Sequence, residues 1–116
     1  MSETTVVRTL TLEVEPIGDG AVLVRCRGKL VMGITDALYN RVKKLIPDNK
    51  RIVLDLSDLT QMDSMGLGTL VRLYVSAKSA GCSLELINLG QRIRQLLGTT
   101  NLLSVFSVIG EHGIKM

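Results

Sequence analysis

The sequence predicts a single α/β domain over residues 1–116. Its sheet is mixed, with four to five strands, begun by an antiparallel hairpin and covered by three to four helices. Three observations carry that prediction. Residues 5–15 alternate apolar and polar side chains, the period-two signature of a strand with one wet face. Residues 34–46 and 64–80 repeat apolar side chains at helical spacing. Between them, residues 51–56 are nearly continuous in apolar residues, as expected of a parallel strand covered on both faces.

In the first strand Leu10, Leu12 and Val14 point one way, and Thr9, Thr11, Glu13 and Glu15 the other. Pro16-Ile17-Gly18-Asp19-Gly20 is a turn cluster. The second strand runs from Ala21 to Arg27, and the short connection makes the pair an antiparallel hairpin. Gly28 is read as its end. Ile34, Leu38, Val42 and Leu45 then form the apolar stripe of a helix over 34–46, with Thr35 or Asp36 as its cap. Pro47-Asp48-Asn49 stops it.

After the strand at 51–56, Leu67, Leu70, Val71 and Tyr74 mark the helix over 64–80, and Gly81 suits its C-terminal cap. Leu84 and Leu86 belong to a further strand. A short helix over 91–97 is ended by Gly98. Leu102, Leu103, Val105 and Phe106 supply a last apolar element, with a short strand near 105–109, and residues 110–116 form a loose end.

Composition narrows the function. At 116 residues and 46% hydrophobic, the chain can bury one core without disulfides or metals. Aromatics amount to 3%, which supplies little for stacking on bases, and the net charge of +3 is scattered. Nucleic acid is therefore not an expected partner. No apolar run approaches the length of a membrane span, so membrane insertion is not expected. The start of the chain lacks the pattern of a signal peptide, and a cytoplasmic protein is expected. Cys26 and Cys82 are read as buried thiols. With His112 alone beside them, neither a metal site nor a cofactor is expected.

Enzymatic readings fare poorly. A serine hydrolase needs Gly-x-Ser-x-Gly and a histidine base, whereas Ser64 follows Asp63 and the single histidine is His112. Gly66-Leu67-Gly68-Thr69 lacks the spacing and the lysine of a phosphate loop. Asp55 and Asp58 bracket a strand end and are read as turn residues. Gly66 and Gly68 are read as places where helix and sheet backbones come close. The site that stands out is Asp63-Ser64, where a strand gives way to a helix. Either residue suits a cap there.

Residues Ile52 to Gly68, Ile-Val-Leu-Asp-Leu-Ser-Asp-Leu-Thr-Gln-Met-Asp-Ser-Met-Gly-Leu-Gly, resemble the STAS domain shared by sulfate transporters and bacterial anti-sigma-factor antagonists. The likeness is greatest to the stand-alone antagonists, in which an apolar strand leads through a short loop to Asp-Ser-Ser-Gly-Leu-Gly. Gly28-Lys29-Leu30 stands where the family has Gly-x-Leu-Asp. Met65 replaces the usual second serine or threonine, and Val31 the frequent aspartate.

The resemblance implies a STAS-like fold and a regulatory protein, not an enzyme. It implies that Ser64 is phosphorylated by an anti-sigma factor with serine kinase activity, that the unphosphorylated chain binds that partner, and that a serine phosphatase resets the cycle. The family's alternative is an unphosphorylated scaffold or an accessory subunit of a lipid or anion transport system. Asp63, Met65, Gly66, Val31 and Met32 are the expected partner-binding residues. Of these, Val31, Met32 and Met65 are expected to form an exposed apolar patch around Ser64, with Met62 in the core.

Overall fold

The computed structural model describes residues 3–99 and 107–109. Six strands and three α-helices follow in the order β1 (Glu3–Val7), β2 (Leu10–Gly18), β3 (Ala21–Leu30), α1 (Thr35–Leu45), β4 (Arg51–Met62), α2 (Ser64–Ser79), β5 (Ser83–Ile87), α3 (Gln91–Thr99) and β6 (Ser107–Ile109). A 3-10 turn, Ile46–Asp48, takes the proline after α1. The sheet order is β1-β2-β3-β4-β5-β6. β1, β2 and β3 pair antiparallel, and β3 to β6 pair parallel. This is the expected mixed sheet begun by a hairpin. Leu102, Leu103, Val105, Phe106 and the tail at 110–116 lie outside the described residues.

The sheet has one strand more than expected because the stretch read as one strand is two. Arg8, at φ 54°, takes the left-handed conformation and folds β1 back on β2. β2 then runs through Pro16 to Gly18, and the hairpin turn is only Asp19-Gly20.

Gly28 does not end β3. It sits inside the strand at φ 105°, and a Cβ there would collide with the carbonyl of Thr9. The ladder to β4 slips between Gly28 and Lys29, so the residue is a kink rather than a stop. β4 is correspondingly long. Ser57–Met62, expected as a loop, stays in the ladder beside β3 until Leu30 faces Met62. The chain leaving β3 and the start of α2 therefore emerge side by side.

One apolar cluster holds the layers together. Leu10, Leu12 and Val14 of β2 join Val22, Val24 and Cys26 of β3, Ile52, Leu54 and Leu56 of β4, and Leu84 and Leu86 of β5. Leu38 and Val42 of α1, with Leu70, Leu73 and Ala77 of α2, close over them. Ile52–Leu56 is buried throughout, as the apolar run requires. On the other sheet face, buried Glu85 takes two hydrogen bonds from Arg51, at 2.7 and 3.0 Å. Asp55 there accepts from the Ser57 amide and the Asn88 side chain, so it serves structure.

Three helix-end readings change or sharpen. Neither Thr35 nor Asp36 caps α1. The cap position falls on Ile34, which is drawn into the core and makes no side-chain cap bond. α2 ends as expected at Gly81, φ 75°, where the amides of Gly81 and Cys82 donate to the carbonyls of Lys78 and Ala77. α3 passes through Gly98 to Thr99 rather than stopping there.

Candidate functional site

Strands β3, β4 and β5 are parallel, so their carboxyl ends share one edge, the usual location of sites in open α/β sheets. Asp63 and Ser64 stand at that edge, after the last residue of β4. Asp63 keeps extended backbone, φ −106° and ψ −173°, and is the cap of α2. Its Oδ1 accepts the Gly66 amide at 3.0 Å. Its carbonyl accepts the Leu67 amide at 3.0 Å, starting the helical ladder.

The other carboxylate oxygen has a second task. Asp63 Oδ2 accepts the Met32 amide at 2.9 Å, across to the segment between β3 and α1. The Asp63 amide donates to the carbonyl of Leu30, the last residue of β3, at 3.4 Å. The Met32 and Gly66 amides hold the Asp63 carboxyl below the usual carboxylate range, outweighing the effect of burial.

Asp63 therefore takes the capping role that either residue suited, and Ser64 is released from it. Ser64 is the first residue of α2 and is exposed. It stands at a helix start, where backbone N–H groups and the dipole favour an anion.

Met65, next in the chain, is 51% exposed, and Met32, whose amide bonds to Asp63, is 70% exposed. Both are large, adaptable apolar side chains left in water. Val31 is only partly exposed and packs on the core, and Met62 is buried as expected. Gly66 is buried, and a Cβ there would clash with the Leu30 carbonyl and stand 2.7 Å from Met62 Cγ. Close packing thus explains Gly66. It does not explain Gly68, where a Cβ would meet nothing within 4 Å.

The bond from Met32 to Asp63 is the feature that sequence reasoning missed. Its only local signal is the capping type of Asp63. Its partner becomes visible once β3 is known to continue through Gly28 to Leu30. Among the described residues no group of histidine, cysteine, aspartate or glutamate is arranged to hold a metal. No described helix is long and apolar enough to cross a membrane.

The family model of the STAS domain matches residues 14–113. The chain belongs to the STAS domain family. A curated relative of this STAS chain is the anti-sigma-B factor antagonist of Bacillus subtilis, 28% identical over 87 residues, which are 75% of this chain and 80% of the relative. Among solved structures, an anti-sigma factor antagonist from Mycobacterium paratuberculosis superposes with a TM-score of 0.75 at 25% identity, covering 85% of this STAS chain and 84% of that one. The anti-sigma factor antagonist SpoIIAA in its unphosphorylated form superposes with a TM-score of 0.73 at 17% identity, covering 87% and 90%.

Proposed function

We propose that this STAS chain is a cytoplasmic anti-sigma-factor antagonist and not an enzyme. In this reading it binds an anti-sigma factor with serine kinase activity, is switched off when that partner phosphorylates Ser64, and is reset by a serine phosphatase. The observation that carries the reading is the division of labour at α2. Asp63 makes the cap, so exposed Ser64 is left out of it, next to exposed Met65 and one residue from Asp63, whose carboxylate holds the amide of exposed Met32. The name of the Bacillus subtilis relative supports the partner class. That SpoIIAA, which shares the fold, has been solved in a phosphorylated form supports the reading.

The physical basis of such a switch is local. Phosphoserine adds about −1.5 to −2 charges at neutral pH. The helix start favours that charge, so the domain need not unfold. Asp63 opposes it. Two unit charges roughly 6 Å apart repel by about 0.7 kcal/mol in water and about 3 kcal/mol at an effective dielectric of 20. A phosphate carried into an interface built around Met32 and Met65 must also shed water without a prepared partner.

The test is incubation with ATP and an anti-sigma kinase, followed by intact mass. The wild-type chain gains one phosphate and Ser64→Ala gains none. A phosphate that persists in Ser64→Ala, or no gain in the wild type, rejects the reading.

A further inference from the structure

We propose that Asp63 is the positioning residue of the docking surface: its carboxylate fastens the Met32 segment to the start of α2 and so sets where Met32 stands relative to Ser64. The proposal rests on reading the surface around Ser64 as the place where the partner docks. Four observations carry it. The two oxygens of one carboxylate are divided between two segments, with Oδ1 on the Gly66 amide and Oδ2 on the Met32 amide. Met32 is 70% exposed, so its side chain contributes little to fixing its own segment.

Gly33, directly after it, has φ 89°, a conformation that tolerates few other residues and leaves the segment little intrinsic preference for its path. Among the described residues the neighbouring backbone bonds bypass Met32: the Asp63 amide donates to the Leu30 carbonyl at the end of β3, and the Ile34 amide turns back to the Val31 carbonyl within the segment.

The division of the carboxylate makes the role separable from capping. A cap needs one acceptor oxygen, and Asn and Ser both supply it. The bond to Met32 needs the second carboxylate oxygen, which neither residue has. Asp63→Asn and Asp63→Ser therefore keep the helix start and remove the fastening.

The experiment compares both variants with the wild type by amide hydrogen exchange and by calorimetric titration of the anti-sigma kinase into the unphosphorylated chain. The Gly66 amide stays protected and the circular-dichroism spectrum stays that of the wild type, while the unfolding midpoint at neutral pH falls modestly with the loss of the carboxylate bond. Exchange at the Met32 amide accelerates at least roughly tenfold, as a lost local tie requires. Affinity for the kinase falls by about tenfold in the same variants. Unchanged exchange at Met32 overturns the proposal, and so does faster exchange with unchanged affinity. The phosphate-uptake assay on the wild type separates the two readings. Phosphate taken up with no effect of Asp63→Asn on affinity rejects the positioning role alone. Neither uptake nor binding rejects the docking reading on which it rests.

Discussion

Asp63 and Ser64 are adjacent and differ in what their atoms are committed to. Each carboxylate oxygen of Asp63 accepts a backbone amide, and the group is consequently more acidic than an ordinary aspartate. The sign of the pH effect follows. Because the folded-state carboxyl titrates lower than the unfolded one, its contribution to stability is present above the unfolded value, about pH 4, and is lost as pH falls through the folded value. Urea midpoints measured from neutral pH down to acid should therefore drop less steeply in Asp63→Asn than in the wild type. Asp63→Ala, which removes the cap as well, should cost about 1 kcal/mol or more at neutral pH. An equal acid slope in wild type and Asp63→Asn would mean that the carboxylate is not held as described. Ser64→Ala, by contrast, should unfold within about 0.5 kcal/mol of the wild type, because the side chain removed is exposed and makes no hydrogen bond among the described residues.

At the scale of elements, the two glycines of α2 make opposite predictions. Gly66→Ala forces a methyl against the Leu30 carbonyl and Met62, and should destabilise by about 1–3 kcal/mol in chemical denaturation. Gly68→Ala adds a methyl in open space to a helix interior and should stabilise by up to about 1 kcal/mol. Equal effects would show that helix and sheet do not approach closest at Gly66.

The sequence pattern made neither distinction, since both glycines fit close packing. The elements with strong periodicity were legible: the alternation at Leu10, Leu12 and Val14, the stripes of α1 and α2, and the apolar run of β4. The errors have a common cause. Arg8 turns the chain without a glycine or proline to mark it. Gly28 looks like a stop and acts as a kink. Ser57–Met62 is too polar to read as a strand, yet it is held in one by its partner β3. In each case a neighbouring strand overrode the local signal. The Asp63–Met32 bond depends on the last two, so the candidate site was legible as residues and not as a joined structure.

At the scale of the whole molecule, the apolar cluster draws on α1, α2, α3 and the sheet, and both cysteines lie within it. Burial, with the charge of Asp55 as a second cause, pushes the Cys26 thiol up to about 12, and burial raises Cys82 as well. Thiol labelling at neutral pH should be slow at both and should accelerate together across the urea transition. Fast labelling of either in the native protein would show a core less closed than this one.

A domain so tied together is suited to switching by surface charge rather than by refolding, and that is the central claim about Ser64. The most direct measurement is the affinity of an anti-sigma kinase for the chain before and after stoichiometric phosphorylation at Ser64, with circular dichroism recorded on both forms. The account predicts binding about a hundredfold weaker for the phosphorylated chain, a penalty of about 2.7 kcal/mol, with the spectrum unchanged. Equal affinity of the two forms would contradict it.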